Sequence, residues 1–459
     1  MFLVLTLFTG VFILWCLHLR FSREGRLIAK IPGPPGLPIL GNTFQFLGSS
    51  GMNFYFIYFY TQILSSSQLI DKNVPYNFLR PWLNNGLLIS SGQKWLHRRK
   101  MLTPAFHLNA LKSFLEVFVE NAEQFQKSVE SELRNEKTNF KLIYTYCFCS
   151  KETSMGTTKR CSLDTVFHKY LHAIEGISEC LVLRLCRVWY FFDFIHNFTS
   201  NSQKQKRIIE DLHVVSRGII RERREFWEKK GTIFEENINT GANKGRSAMI
   251  DLLFQNEKMK KIDESGIREE VDTFLFAVLH FSIVLEKIHE EIEYIFGGSD
   301  RPPSLEDLNK MKYTECCIKE SLRIYPSVPF ISRYIKKEIV LGGYKIPAGT
   351  QASIMIYDLH HREDIYPEPE KFIPERFLHR NQVKNHPYAF IPFSAGYRNC
   401  IGQKYAMLTM KTLILSLFKK FRVEPVTKME DIILCMGITL RTTHPIYARF
   451  IKKEKVHQK

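Results

Sequence analysis

The stretch Phe393-Ser394-Ala395-Gly396-Tyr397-Arg398-Asn399-Cys400-Ile401-Gly402 holds one cysteine between two glycines, with an arginine just ahead of it. A thiol titrates near about 8.5, and apolar burial raises that value, so a buried thiolate needs a metal, amide donors or a helix amino terminus beside it. This segment can offer all three. Gly396 and Gly402 let the backbone turn tightly around the sulfur, and 402–421 reads as a largely apolar helix whose positive end begins next to it. Arg398 is placed to meet an anionic group. A buried structural cysteine would explain the sulfur but not the glycines and the arginine. Cys400 is therefore the candidate metal ligand.

Around this stretch lies a chain of 459 residues, 45% hydrophobic and 24% charged, long enough to bury a large core. No Gly/Ser-rich linker, low-complexity tract or internal repeat divides it, which favours one large domain. Its 64 basic and 47 acidic residues leave a net charge of +17, suited to an anionic membrane surface, an acidic protein partner or nucleic acid. The ten cysteines show no C-x-x-C pair and no short disulfide framework, which fits a reducing compartment and lacks zinc-finger spacing. A nucleic-acid role has charge behind it and no recognition motif, so no nucleic-acid partner is expected.

Met1 to Leu19 carry no formal charge except through His18, and a helix of that length nearly crosses a bilayer core. Arg20, Arg23, Arg26 and Lys30 follow, so the bulk of the protein is expected in the cytosol. A cleaved signal peptide fits less well, because the basic cluster follows the apolar run and no small-x-small cleavage site is evident. The expected organisation is a transmembrane anchor over 1–19, a basic linker over 20–30, a stiff proline-rich hinge over 31–38 and one domain over 39–459. The sequon Asn197-Phe198-Thr199 should then stay unmodified.

Helices are predicted over 107–133, 203–229, 263–296, 304–325 and 402–421. Ser304-Leu305-Glu306-Asp307 looks like a capping box, and Pro326 stops the helix after Tyr325. Short β signals lie at Ile339-Val340-Leu341, before Gly342-Gly343, and at Tyr344-Lys345-Ile346. The expected fold class is mainly α with a smaller β part.

Residues 393–402 match at every fixed position the signature Phe-x-x-Gly-x-Arg-x-Cys-x-Gly, and the chain resembles the cytochrome P-450 haem-thiolate monooxygenases. The resemblance implies that Cys400 is the proximal ligand of the iron of haem b, that Phe393 packs near the sulfur, and that Arg398 meets a haem propionate. It implies further that Glu320 and Arg323 of Glu320-Ser321-Leu322-Arg323 join Arg376 of Pro374-Glu375-Arg376-Phe377 in a structural set holding the cysteine loop. Trp95 and Arg99, in Trp95-Leu96-His97-Arg98-Arg99, and Arg333 are expected at the propionates.

The likeness runs from the proline hinge to the carboxy terminus and is closest to family four of the arthropod type. Pro81-Trp82-Leu83, Glu152-Thr153-Ser154-Met155-Gly156 and Glu270-Val271-Asp272-Thr273-Phe274 support it. It implies an endoplasmic-reticulum membrane protein that oxidises lipophilic fatty acids or terpenoids. Its electrons would come from NADPH through a flavoprotein reductase docked on the basic surface.

Two departures from the pattern are abrupt. After Phe274, where family four continues with an acid-alcohol pair that relays protons, this chain reads Phe276-Ala277-Val278-Leu279-His280-Phe281-Ser282. His280 falls at the acid position, and Phe281, which cannot relay a proton, falls at the alcohol. The missing piece near 276–286 is about fifteen residues, or about 22 Å of helix. The glutamate that can esterify the haem is replaced by Ala277 or absent, so covalent attachment is not expected. The second departure, near 48–65, removes family strands. No catalytic acid-alcohol pair is thus assigned, and two readings remain: a working monooxygenase, or a non-catalytic or misfolded truncated isoform that at most binds haem.

Overall fold

The computed structural model describes residues 20–32, 55–134, 139–141, 163–230, 248–277, 288–378 and 386–453, with isolated positions at 10, 11, 13, 14, 17, 18 and 155. Most of the expected anchor, most of the hinge and the segment holding His280, Phe281 and Ser282 lie outside the described residues. Among the described residues, no helix is long and apolar enough to cross a membrane.

The principal helices are α1 (Tyr55–Ser65), α2 (Gly92–Leu102), α3 (Leu108–Arg134), α4 (Leu163–Cys186), α5 (Ser200–Lys230), α6 (Met249–Lys258), α7 (Glu264–Ala277), α8 (Ile288–Phe296), α9 (Leu305–Lys310), α10 (Lys312–Ile324) and α11 (Gln403–Lys420). α3 packs along α11, and α4 along α5, which also meets α7. The strands are short. β1 (Asn139–Lys141), β9 (Tyr447–Lys452) and β6 (Phe421–Pro425) form one antiparallel sheet in that order. β2 (Phe330–Tyr334) pairs with β5 (Gln351–Met355), β3 (Ile339–Leu341) with β4 (Tyr344–Ile346), and β7 (Leu434–Met436) with β8 (Leu440–Thr442). The structure is thus mainly helical with small sheets, as expected.

Three apolar clusters hold these layers. One gathers Trp82, Leu102, Phe118, Leu212 and Ile267, and a second gathers Leu308, Ile318, Ile414 and Phe418 between α9, α10 and α11. The third joins α1 to the β2–β5 layer through Ile63, Leu64, Ile335, Ile354 and Ile391. Among the described residues no strand precedes Asn139. α1 flanks the sheet layer instead: Met355 N donates to the Tyr60 hydroxyl at 3.3 Å, and Gly342 N to Gln62 Oε1 at 3.1 Å.

Several boundaries differ from the sequence reading. The helix expected over 304–325 is two helices, parted at Met311, whose ψ of 75° leaves the helical region. Its side chain is buried in the second cluster. The break is sustained by a remote carboxylate: Glu291 of α8 accepts from Tyr313 N at 2.6 Å and Thr314 N at 2.8 Å, satisfying amides that open α10. At the start of α9 the expected capping box is present, with Asp307 N donating to Ser304 Oγ at 3.2 Å and Ser304 N to Asp307 Oδ2 at 2.8 Å. Of the helix expected over 263–296, the described parts are α7 and α8.

No helix was expected over 163–186, where α4 lies. Gly176 in its middle looks like a breaker, but a Cβ there would come 2.9 Å from Ile208 Cδ1 of α5. The glycine allows the two helices to approach.

Candidate functional site at Cys400

The cysteine segment is a knot of short main-chain bonds. Ser394 N donates to Ile391 O at 2.9 Å, Cys400 N to Phe393 O at 2.9 Å, and Asn399 N to Gly396 O at 3.1 Å. The turn forces φ to +59° at Ser394 and +68° at Gly396. Gly396 has a second reason to lack a side chain: a Cβ would collide with the Leu64 carbonyl at the end of α1. Gly402 differs from expectation, for its φ is −89°. A Cβ there would meet Cys400 Sγ at an ordinary 3.9 Å.

Cys400 is accessible to solvent, yet the protein packed around it desolvates the thiol and raises its pKa. The Gly402 amide, hydrogen-bonded to the sulfur, and the Arg99 charge pull the pKa back down. α11 starts at Gln403, so its positive end lies close behind. Phe393 supplies the carbonyl that closes the loop, and its ring packs on the second apolar cluster. Above α11, Phe106 stacks on Phe274 of α7 with ring centroids 5.4 Å apart.

Glu320, Arg323 and Arg376 are brought together. Arg323 donates from Nε and Nη2 to the two Glu320 oxygens at 2.9 Å each, and both side chains are fully buried. Arg376 Nε reaches Glu320 Oε1 at 3.3 Å, and Ile373 N reaches the same oxygen at 3.0 Å. The set is wired to the cysteine loop by a residue the sequence reading missed. Arg323 Nη1 donates to His360 O at 2.9 Å, and His360 Nε2 accepts from Ile391 N at 3.0 Å. Burial pushes His360 down to about 3, helped by the charges of His361 and Arg323. Its two partners, Arg323 and Ile391, are remote in sequence, so no local motif announces this role.

The expected propionate residues sit on several elements. Trp95 and Arg99 lie on α2, and Arg333 on β2. Arg99 uses Nη1 and Nη2 on Asn399, at 2.7 Å to its carbonyl and 2.7 Å to its side-chain oxygen. Arg398 stacks over the Trp95 ring at 4.4 Å and donates Nε to Ile70 O at 2.8 Å, Nη1 to Leu87 O at 3.1 Å, and Nη2 to Ser90 O. Arg333 Nη1 donates to Ser332 O at 2.9 Å. Burial, then the Arg333 charge, pushes Arg398 down to about 9. Arg398 and Arg333 are thus desolvated cations whose described hydrogen-bond partners are carbonyls rather than carboxylates. That is a seat suited to an acidic group.

A thiol backed by an amide and a helix start, with nearby arginines that meet no carboxylate among the described residues, can ligate a metal carried by an anionic cofactor. The cytochrome P450 family model matches residues 59–280 and 282–449. Mouse cytochrome P450 4V2 is 38% identical over 424 residues, covering 86% of this chain and 78% of its own. Fruit-fly cytochrome P450 4c3 is 35% identical over 481 residues, covering 92% and 89%. Human cytochrome P450 4V2 is 35% identical over 413 residues, covering 85% and 78%. The chain belongs to the cytochrome P450 family of monooxygenases, which implies haem with a cysteine thiolate ligand. The fruit-fly alignment is longer than the 459 residues of this chain, so that relative has positions here missing.

Proposed function

We propose that this chain holds haem b through Cys400 and inserts one atom of dioxygen into a lipophilic substrate of the fatty-acid or terpenoid class. The observation that carries this reading is the Cys400 thiol, met by the Gly402 amide, in one segment with Arg398, which like Arg333 bonds carbonyls and no carboxylate among the described residues. Arg333 and Arg398, with Trp95 beneath the latter, would hold the propionates. Arg99 fixes the residue next to the ligand, Gly396 lets the loop turn against the Leu64 carbonyl, and Gly402 presents no side chain beside the sulfur. Glu320, Arg323 and Arg376 hold the loop through His360. When bound, the haem supplies the oxygen-activating iron, made electron-rich by the thiolate. No described side chain is assigned to proton delivery.

Electrons would come from NADPH through a flavoprotein reductase that meets the basic surface. The domain over 39–459 would stand on the cytosolic face of the endoplasmic reticulum, tethered by 1–19 through the basic linker and proline hinge. The test is the full chain in a membrane with reductase, NADPH and a panel of fatty acids and terpenoids. A thiolate-type Soret band in the reduced carbon-monoxide complex, lost in Cys400→Ser, together with hydroxylated product is expected. Haem binding without product from any of the panel would overturn the enzymatic part, and absence of the band would overturn the whole.

A further inference from the structure

Among the described residues, the carboxylates of Asp251, Glu270 and Glu320 are completely buried. Asp251 accepts two bonds from Arg223 and one from Trp227, and Glu320 accepts two from Arg323. Glu270 is poorly matched by comparison. Arg98 of α2 stands 3.9 Å away and is shared with Glu269, and Glu270 Oε1 accepts no hydrogen bond among the described residues.

Burial therefore raises the Glu270 carboxyl to about 7, and the Leu87 amide and the Arg98 charge pull it back down. Of the remaining charges that face it, Lys94 of α2 lowers it and Glu269 of its own helix raises it. The loop at 84–90 holds no charged residue. α5, α6 and the turn at 80–83 also pack on α7, and form no ion pair with Glu270 among the described residues.

What Glu270 does hold is the main chain of Leu87, whose amide donates to Oε2 at 3.1 Å. The Leu87 carbonyl in turn accepts from Nη1 of Arg398, two residues ahead of Cys400, at 3.1 Å. One loop residue thus ties α7 to the cysteine segment. The loop is pressed onto α7: a Cβ on Gly86 would come 2.6 Å from the Glu269 carbonyl, and Asn85 N donates to Glu269 Oε1 at 3.3 Å. The Ser90 carbonyl also takes Arg398, through Nη2, while Ser90 N donates back to Gly86 O at 2.9 Å. A change in the hold on Leu87 N is therefore passed to the carbonyls that place Arg398.

We propose that Glu270 is a positioning residue for the haem seat: its carboxylate fixes Leu87, and Leu87 fixes Arg398, so α7 governs how firmly the cysteine segment is set. The proposal rests on haem binding at Cys400 as read above. An ionised carboxylate accepts more strongly than a neutral acid, so the hold is firm above about pH 7 and slackens below it. Asp272 supplies a control on the same helix. It too is buried and raised to about 7, but it turns to α5, hydrogen-bonded to Ser216 and 3.6 Å from His213.

The test separates positioning from packing. The haem-free full chain and Glu270→Gln, which keeps shape and an acceptor but not the charge, are titrated with haem between about pH 6 and about pH 8. The Soret band reports binding. The parent should bind about tenfold more tightly than Glu270→Gln at the upper end, and the two should converge at the lower. The ratio of parent to Asp272→Asn should stay flat. A flat ratio for Glu270→Gln would show a packing role and overturn the proposal, as would the same slope in Asp272→Asn. If Glu270→Gln does not fold, Arg398→Lys, which keeps the charge but cannot span the carbonyls, carries the test. Its deficit against the parent should shrink towards the lower pH, and a constant deficit overturns the proposal. If the parent binds haem and the ratios are flat, this proposal alone falls. If the parent binds no haem, the reading of Cys400 falls and takes this one with it.

Discussion

Arg99 holds Asn399 at two points, donating to its carbonyl and to its side-chain oxygen at 2.7 Å each, and so fixes the residue that precedes Cys400. Two bonds from a charged donor to one residue are worth about 1.5–3 kcal/mol apiece where they are well shielded. Arg99→Met should therefore lower the urea midpoint and reduce the fraction of protein showing the thiolate band. Arg99→Lys, which cannot bridge both oxygens, should lie between the variant and the parent.

The two glycines of the signature should behave differently. Gly396→Ala places a Cβ at φ +68° against the Leu64 carbonyl, and is expected to cost about 2–4 kcal/mol. Gly402→Ala has an ordinary φ and a 3.9 Å neighbour, so its cost should be about 1 kcal/mol or less. Chemical unfolding of the pair decides it, and equal losses would contradict this geometry.

Glu320 accepts from Arg323, Arg376 and Ile373 while fully buried. Glu320→Gln leaves the Arg323 charge uncompensated, with an expected loss of about 3–5 kcal/mol. Adding Arg323→Met should recover part of that loss. Urea titrations of the single and double variants measure the coupling.

His360 is held neutral by burial with a pKa of about 3, whereas in the unfolded chain it titrates near about 6.5. Between those values the unfolded state binds more protons, so stability from this residue is present above about pH 6.5 and is lost as pH falls towards about 3. His360→Gln has no such titration. The difference in urea midpoint between parent and variant should shrink steadily across that window.

Asn197 is exposed, so the sequon is open to glycosylation wherever the transferase can reach it. With the domain in the cytosol, glycosidase treatment of protein expressed in microsome-bearing cells should produce no mobility shift. A shift would reverse the proposed topology.

The proximal site was legible because its chemistry is local. Gly396, Arg398, Cys400 and Gly402 lie within one run, and Glu320 and Arg323 occupy one helix face. What escaped depends on chain segments far apart. His360 matters through a carbonyl and a ring nitrogen that serve two different partners. The break at Met311 needed Glu291 from another helix, and α4 tolerates Gly176 because Ile208 packs there. Local propensity has no access to such tertiary causes.

Leu64, whose carbonyl leaves no room for a side chain on Gly396, leaves the ribosome long before its partner is translated. Until the last part of the chain emerges, Tyr60, Ile63 and Leu64 have no Ile354, Ile356 or Ile391 to cover them. Such long sequence separation slows assembly and prolongs exposure of apolar surface. The cysteine loop thus closes late in biogenesis, and a nascent chain stalled before that point would present α1 to chaperones.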